Sequence, residues 1–299
     1  MPELPDVETF KQYFDATSLH QRIDNVDVRD AYTLKGISAR ELARGLKGRR
    51  FKSTRRHGKH LFVRANSHLW LRLHFGMTGS LHYFKHEKQA PKHARVLFVF
   101  ANAHRLAFED QRKFGEVGLL KDVDEFLKKR ALGPDALDIS LPQFKEIFGK
   151  HRGAVKTILL NQKLIAGIGN IYADEILFRA RIHPATQVSA LKGKTVAKLF
   201  RAARNILKKA IEAKADANLM PKQWLLPHRG KGGKCPRCGH ELRSATIGGR
   251  TAWFCAHCQK RRSGSQAASL TRTAACQAAE SKRPSWQLGR RVSQGWLTS

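Results

Sequence analysis

The alternation of hydrophobic and polar positions divides this chain into a β-rich first half and a helical second half. In residues 3–19 apolar side chains recur every three or four positions, which is the spacing of one amphipathic helix. Residues 20–121 instead contain short apolar or alternating runs broken by Gly, Asn and His, a pattern typical of a β-sandwich or a barrel-like β domain. The predicted strands lie within Gly48–Arg64, Leu69–Phe75, Leu81–Phe84, Val96–Phe100 and Leu106–Phe108.

Helical periodicity begins at Asp122–Arg130 and continues to about residue 215. The chain is therefore predicted to be α+β, with an N-terminal helix plus a β-sandwich domain over 1–125 and a helical domain over 126–225. A cysteine-rich segment follows over 226–262. Residues 263–299 lack a core pattern and are predicted to be a disordered basic tail. The further predicted helices are Pro142–Phe148, Val155–Gln162, Ile171–Ala180 and Thr195–Ala215.

The net charge of the chain limits the kind of molecule that it is expected to bind. The chain has 56 Lys and Arg against 24 Asp and Glu, a formal net charge of +32, which favours a polyanion and above all nucleic acid. An acidic membrane surface is disfavoured because the sequence contains neither a transmembrane run nor a lipidation motif. Met1–Phe10 does not resemble a signal peptide. We therefore expect a cytoplasmic protein, nucleoid-associated if the source is bacterial, whose cysteines are reduced.

Four cysteines have the spacing of a zinc ribbon. Cys235 and Cys238 form one CxxC pair, and Cys255 and Cys258 form a second pair after sixteen intervening residues. Four thiolates leave no open coordination position, so we predict one structural zinc ion and no zinc-dependent hydrolysis. His240 and His257 are expected to be surface residues, and Cys276 a free thiol. The intervening span 241–254 is expected to form a hairpin with Arg250 near its tip, either contacting a phosphate or simply solvated.

The N-terminus carries candidate chemistry. Removal of Met1 would leave Pro2 with a free secondary amine, whose pKa near 8 keeps a useful fraction neutral and nucleophilic. Such an amine can attack a sugar C1′ and form an iminium that promotes elimination of the neighbouring phosphates. Glu3 and Asp6 are close enough to serve as a proton donor or an orienting carboxylate. The alternative is an ordinary helix start with proline in its first turn.

Two further segments suit phosphate binding. Residues 160–172 join two apolar helices through a turn with two glycines, and Asn170 is placed to cap the second helix. The free N–H groups of that helix end and the small glycines would let a phosphate approach closely, although an ordinary helical hairpin has the same pattern. Residues 49–64 form a basic run that reverses near His57 and Gly58. Lys59 beside this reversal can aim at one phosphate, or belong to a solvated basic face.

Taken together, these segments resemble the formamidopyrimidine-DNA glycosylase/endonuclease VIII family. The resemblance extends over about residues 1–260, in the family's order. Its six motifs are PELPDVE at 2–8, RRHGKHLF at 55–62, HFGMTG at 74–79, DQRKFGEVG at 110–118, the helix-two-turn-helix segment at 161–184 and the Cys₄ zinc ribbon at 235–258.

The resemblance implies a monomeric DNA glycosylase and AP lyase of base excision repair, acting on double-stranded DNA that contains oxidised bases or abasic sites. It implies that Pro2 is the Schiff-base nucleophile, that Glu3 is the general acid and that Lys59 holds the phosphate beside the lesion. No redox or nucleotide cofactor is needed. The DNA-binding residues that it implies are His74, Met77, Arg112, Phe114, Lys156, Asn170 and Arg250, of which Met77, Arg112 and Phe114 would fill the gap left by the flipped base.

Two departures from the family pattern concern the substrate. Asp6 stands where the family usually has Glu, and the segment Ala213–Trp224 lacks the Gly-Thr-Thr-Leu-type loop that closes over an oxidised guanine. The gap-filling residues favour oxidised purines such as 8-oxoguanine and formamidopyrimidines. An endonuclease VIII-like preference for oxidised pyrimidines is the alternative within the enzyme class. A non-catalytic, zinc-containing DNA-binding protein is the alternative outside it.

Overall fold

The structure, a computed structural model, describes residues 1–66 and 68–261. The predicted tail at 263–299 and Cys276 lie outside the described residues. Helix α1 spans Leu4–Ser18, as the periodicity of residues 3–19 predicts. It buries Leu4, Val7 and Phe14 completely.

A β-sandwich follows α1, which confirms the predicted fold of the first half. Its two antiparallel sheets have the strand orders β1-β6-β7-β5 and β2-β3-β4-β8. Phenylalanines of both sheets meet Phe14 of α1 in one core, where Phe51 packs edge-on against Phe98. The elements are β1 (Ile23–Val28), α2 (Ala39–Leu46), β2 (Phe51–His57), β3 (His60–Ala65), β4 (Trp70–His74), β5 (Gly79–Phe84), β6 (Ala94–Phe100), β7 (Arg105–Asp110) and β8 (Glu116–Leu120).

Helix α2 lies within residues 20–121, where the sequence analysis predicts strands and names no helix. Its start is fixed by a reciprocal cap, in which Glu41 N–H donates to Ser38 Oγ at 3.2 Å and Ser38 N–H donates to Glu41 Oε2 at 2.9 Å. Only Leu42 and Leu46 are buried, four positions apart. Ala39 and Ala43 pack on the same core, so the apolar positions 39, 42, 43 and 46 have helical spacing and the sequence does contain a signal for this helix.

The second half is helical, as predicted. Helix α7 packs against α6 and α4, and it also contacts α1 of the first half. None of the helices in the described part of the chain combines the length and apolar character needed to cross a membrane. The helices are α3 (Val123–Lys129), α4 (Leu141–Lys150), α5 (Val155–Leu160), α6 (Asn170–Ala180) and α7 (Gly193–Glu212).

The cysteine-rich segment forms the predicted hairpin. Strands β9 (Arg243–Ile247) and β10 (Arg250–Phe254) pair antiparallel and pack against α6. The turn between them is Gly248-Gly249, with φ angles of +58° and +71°. Two consecutive left-handed residues are the geometry of a type I′ turn, and glycine adopts it without steric cost. Arg250 is therefore the first residue after the tip, as predicted.

A buried ion-pair network joins the two halves. The Arg56 guanidinium donates to Glu8 on α1 at 2.7 Å and to both carboxylate oxygens of Asp135 from the helical half. Asp135 also accepts the Gly58 N–H at 2.7 Å. These bonds hold the β2–β3 turn, which contains Gly58 and Lys59, against the helical half.

Glu175 on α6 makes the stability of this half depend on pH. Its side chain is buried, and Oε2 accepts the Leu226 N–H at 3.0 Å, while Oε1 has no partner among the described residues. Burial raises the pKa of Glu175 from its usual 4.5 to about 7. The folded state therefore binds this proton more tightly than the unfolded chain does. The contribution of the protonated Glu175 side chain to the free energy of unfolding is lost as pH rises from about 4.5 through 7.

We expect Glu175→Gln to be more stable than the unsubstituted protein at pH 8, by about 1–3 kcal/mol, and equally stable near pH 4.5. Urea unfolding across this pH range measures the difference. Glu212→Gln on the exposed face of α7 is the control and should not change the profile. Parallel curves for Glu175→Gln and the unsubstituted protein would contradict the expectation.

Candidate active site

The carboxylate of Glu3 caps helix α6. Glu3 Oε2 accepts the N–H groups of Gly169 at 2.8 Å and Tyr172 at 3.2 Å, and Oε1 accepts that of Ile171 at 2.8 Å. The first N–H groups of a helix have no partner within it, and its positive dipole end favours an anion. The prediction that Asn170 caps this helix is therefore wrong. Asn170 is the first helical residue, and Gly169 holds the cap position.

The glycines before α6 make room for the protein's own N-terminus. A Cβ atom on Gly167 would lie 2.6 Å from Leu4 Cδ1, and one on Gly169 would lie 2.3 Å from Glu3 Cδ. The Leu4 N–H donates to the Gly167 carbonyl at 3.1 Å. The expectation that these glycines let a phosphate approach the backbone is thus corrected, because Leu4 and Glu3 occupy that space.

Pro2 precedes α1 and lies beside an open cavity. The helix begins at Leu4, so Pro2 is not its first-turn residue. Asp6 Oδ2 accepts the Glu3 N–H at 2.9 Å, which gives the shorter Asp6 side chain a definite place at the start of α1. The cavity has a volume of about 320 Å³ and is bordered by Pro2, Asp6, Tyr172, Met220 and Leu226, among others.

Lys59 shares this site with Glu3. The ammonium group is largely buried, and burial lowers the pKa of Lys59, as does the nearby Arg250 charge, while Glu3 and Asp6 raise it. Burial likewise raises the pKa of Glu3, against the opposing effect of Lys59. These mutual effects show that residues far apart in the sequence form one electrostatic site.

The turn before Lys59 packs directly on the glycine turn before α6. A Cβ atom on Gly58 would lie 2.9 Å from Ala166 Cβ and 3.2 Å from the Gly167 nitrogen, and Gly58 has a left-handed φ of +55°. The N-terminus, the lysine hairpin and the glycine turn therefore meet at one point, although they lie near residues 3, 58 and 167 of the sequence.

Met77, Arg112 and Phe114 form an exposed apolar and cationic edge. The exposed fractions of Met77 and Phe114 are 40% and 54%, high for large apolar side chains. The Arg112 guanidinium carbon lies 5.2 Å from the centre of the Phe114 ring. Asp110 holds the loop by accepting Gly115 N–H at 2.6 Å and Thr78 Oγ1–H at 2.5 Å. The three side chains are thus presented to a partner by a well-supported backbone.

His74 supports this edge as a neutral side chain. It lies at the end of β4, and its Nδ1 accepts the Gly76 N–H at 3.3 Å. Burial lowers the pKa of His74 to about 4. The imidazole is therefore uncharged at neutral pH, so any contact with a phosphate would be a hydrogen bond without ionic attraction.

The position of Lys156 contradicts its predicted contact with DNA. The side chain is completely buried and donates to Asp174 Oδ1 at 2.6 Å and to the Thr251 carbonyl at 3.0 Å. Asp174 Oδ2 also accepts from Arg229 at 2.8 Å and from the Trp253 N–H at 3.0 Å. Lys156 and Asp174 therefore fasten the β9–β10 hairpin, which carries Arg250, to helices α5 and α6.

The four predicted zinc ligands converge. The Sγ atoms of Cys235 and Cys258 are 3.9 Å apart, and Cys238 Sγ lies 3.5 Å from Cys255 and 3.4 Å from Cys258. Tetrahedral zinc with Zn–S bonds of about 2.3 Å would place its sulfurs roughly 3.8 Å apart. The donor set therefore fits one structural zinc. His240 and His257 are exposed and stack on each other at 4.4 Å, outside the four-sulfur set.

We expect removal of zinc by a chelator to unfold the ribbon, because a structural Cys₄ site contributes about 10 kcal/mol to folding. Limited trypsin digestion should then cleave within residues 232–261 while the rest of the described chain stays resistant. Cys255→Ser should behave in the same way. Cys276→Ser is the matched control and should retain one zinc per chain. Full resistance of a metal-free protein would contradict the assignment.

Substitution of two glycines should have opposite effects on stability. Gly169→Ala would force a Cβ into Glu3 and should lower the free energy of unfolding by about 1–3 kcal/mol. Gly149→Ala on α4 meets no atom within 4 Å and should raise it by about 0.5–1 kcal/mol, because alanine favours a helix. Urea unfolding of both variants checks the pair. Equal effects would argue against the packing of Glu3 on this turn.

Comparison with known families matches the chain in three parts. Residues 1–117 match the formamidopyrimidine-DNA glycosylase N-terminal domain, and residues 131–220 match the helix-two-turn-helix domain of the same enzymes. Residues 232–261 match a zinc finger found in these glycosylases and in isoleucyl-tRNA synthetase.

Similar proteins come from bacteria and plants. A Bacillus subtilis formamidopyrimidine-DNA glycosylase is 34% identical over 88% of this chain and 100% of its own length. An Arabidopsis thaliana protein of the same name is 31% identical over 87% of this chain and 71% of its own length. The Lactococcus lactis enzyme bound to N7-benzyl-Fapy-dG DNA superposes with a TM-score of 0.81, at 30% identity over 87% of this chain and all of that one. This chain therefore belongs to the formamidopyrimidine-DNA glycosylase family.

Proposed function

We infer that this chain is a base-excision DNA glycosylase with AP lyase activity that acts on damaged purines. The observation that carries the inference is the placement of Pro2 at an open cavity, immediately before Glu3, whose buried carboxyl interacts electrostatically with the ammonium group of Lys59. The names of its relatives and the Lactococcus lactis complexes with Fapy-dG and abasic-site DNA support this function. Because its substrate is DNA, we place the enzyme in the compartment that holds DNA.

The chemistry requires removal of Met1, since the Pro2 nitrogen is otherwise part of a peptide bond. The free amine of Pro2 attacks the sugar C1′, and the bond between C1′ and the base breaks as the electron pair leaves with the base. Protonation of the ring oxygen opens the sugar and leaves a Pro2 iminium. Loss of a C2′ proton then expels the 3′ phosphate, and a second elimination expels the 5′ phosphate. Water releases Pro2 by hydrolysis.

Glu3 is the proposed proton donor for ring opening. Its carboxyl is next to Pro2 in the chain, and burial raises its pKa, which increases the fraction of the acid form. Lys59 is the proposed anchor for the phosphate beside the lesion. The buried Arg56–Asp135 pair holds the turn that aims it, and positional errors of 1 Å can slow such a reaction about 10²-fold.

The cavity beside Pro2 is the proposed receptor for the flipped base. The segment between α7 and the zinc ribbon contributes Ala215, Ala217, Met220 and Leu226 to its wall. This segment takes the place of the Gly-Thr-Thr-Leu-type loop that the chain lacks, and it leaves about 320 Å³ free. Small, apolar side chains here provide a stacking surface, with Asp6 as the polar group at the base edge.

The remaining site residues are proposed to hold the duplex. Met77, Arg112 and Phe114 would fill the gap that base flipping leaves, because unstacking costs a few kcal/mol that the inserted side chains recover in part. Asn170 at the start of α6 and Arg250 at the hairpin tip would contact backbone phosphates, and His74 would contact the strand as a neutral donor. We also propose domain boundaries near 125 and 225, supported by the separate apolar clusters of the sandwich, the helices and the zinc ribbon.

Borohydride trapping tests the catalytic assignment. We expect the mature protein to form a covalent complex with duplexes that contain formamidopyrimidine or 8-oxoguanine, and we expect Pro2→Gly to lose excision while binding DNA within a few-fold. A chain that retains Met1 is the matched control and should also be inactive. Binding without trapping on any lesion would favour the non-catalytic DNA-binding protein. Faster trapping on thymine glycol would favour the endonuclease VIII-like preference.

We expect Asp174→Asn to weaken DNA binding through the hairpin. The substitution leaves Lys156 buried without its anionic partner, and breaking such a pair costs about 3–5 kcal/mol. Binding titrations of Asp174→Asn, Arg250→Ala and the double variant measure the coupling. Because both act through the position of Arg250, the double variant should bind no more weakly than the worse single variant. Asp138→Asn, at an exposed site, is the control, and additive losses would contradict the mechanism.

A further inference from the structure

A second basic surface lies where the zinc ribbon meets the end of α6. Two adjoining cavities of about 200 and 560 Å³ share Arg181 and Lys260 in their walls. Lys198 lines the first cavity and Arg237 lines the second. None of the described residues that line either cavity is Asp or Glu, although Cys238 and Cys258, which line the second cavity, are thiolate ligands of the predicted zinc. We call these two cavities, with their four cations Arg181, Lys198, Arg237 and Lys260, the rear groove.

The rear groove lies far from the proposed active site. Helix α6 begins at Asn170 beside Glu3 and ends at Ala180 beside the groove, a rise of about 15 Å. Strand β10 likewise runs from Arg250 to Phe254, about 14 Å, and the second cysteine pair follows it. Both elements thus present one end to the active site and the other end to the groove.

The groove is a supported part of the fold. Arg237 donates to the Phe178 carbonyl at 3.3 Å, and its guanidinium carbon lies 4.4 Å from the centre of the Phe178 ring. Gln259 is buried and donates to the Ile182 carbonyl at 2.8 Å, which fixes the backbone just before Lys260. The negative end of the α6 dipole, at Ala180, favours cations in this place.

Two further observations indicate that the groove suits an anion. Thr186 lines the smaller cavity and is buried, and its hydroxyl has no hydrogen-bond partner among the described residues. Burial lowers the pKa of the neighbouring His183, and the positive charge of Arg261 lowers it further. Arg261 therefore adds a further positive charge close to His183.

We propose that the rear groove binds the backbone phosphates of a second DNA segment while the first segment occupies the active site. This proposal rests on the proposed DNA-repair function. The basic tail is not a suitable occupant, because residues 263–299 contain five Lys and Arg and one Glu. DNA supplies regularly spaced phosphates, which match cations distributed along a groove. A protein that holds two segments can pass directly from one to the other during its search for lesions.

Direct transfer has a kinetic signature. The protein is bound to a fluorescent, lesion-free duplex and mixed with increasing concentrations of unlabelled duplex in a stopped-flow instrument. If two segments bind at once, the rate of release rises in proportion to the competitor concentration. If the protein must first dissociate, the rate is constant. We expect the rising behaviour for the full chain at low salt, and a constant rate would overturn the proposal.

Two charge-matched variants assign the effect to the groove. Arg181→Gln/Lys260→Gln should reduce the slope at least threefold. Arg40→Gln/Lys47→Gln removes the same charge from exposed positions at the start of α2 and just after it, and should leave the slope unchanged. The tail is identical in all three proteins, so its contribution cancels. Equal slopes for the two variants would overturn the assignment to the groove.

The nature of the anion is tested with other competitors. Inorganic phosphate and poly-glutamate at equal ionic strength should not accelerate release as duplex does, and equal acceleration by either would show a general anion site and overturn the DNA assignment. Single-turnover excision should be unchanged in Arg181→Gln/Lys260→Gln. If the unsubstituted protein shows no excision, the proposed function is rejected. If it excises the base but its release rate does not rise with competitor concentration, only the rear-groove proposal is rejected.

Discussion

The contact between the Glu3 carboxylate and the N-terminus of α6 is the constraint on which the rest of the site depends. The backbone N–H groups of Gly169, Ile171 and Tyr172 all donate to the Glu3 side chain, which lies at least 166 residues earlier in the sequence. The contact satisfies donors that a buried helix end would otherwise leave unpaired. It also places the N-terminus against the helix-two-turn-helix segment. The proposed nucleophile, Pro2, is therefore positioned by the residue that follows it.

Polar interactions extend this junction in two directions. The Arg56–Asp135 pair holds the lysine hairpin against the helical half, and the Lys156–Asp174 pair holds the zinc hairpin against α5 and α6. Buried ion pairs add little net stability compared with apolar packing, but they require one geometry because an unpaired partner is costly. Their effect here is to bring Arg250 close enough to Lys59 for its positive charge to help lower the pKa of Lys59.

The cationic side chains of this chain lie in three kinds of environment. Some cationic side chains, such as Arg56 and Lys156, are buried in ion pairs with aspartates, and others lie at the proposed active site. A third group, Arg181, Arg237 and Lys260, lies at the far ends of α6 and β10, beside the predicted zinc ligands Cys238 and Cys258. Net charge alone therefore does not say how many phosphates a protein contacts, since burial and pairing remove part of it.

The sequence by itself determined the sandwich, most helices, the zinc ligands and the family, because these follow from periodicity, short spacings and co-linear motifs. It also contains the signals for α2, which are the Ser38 and Glu41 cap and the helical spacing of Ala39, Leu42, Ala43 and Leu46. It could not reveal the cap that Glu3 provides to α6 from 166 residues away. It also assigned Lys156 to DNA, since a lysine carries no local sign of burial. Only tertiary structure decided that Lys156 pairs with Asp174, because that pairing depends on how α5, α6 and the hairpin pack.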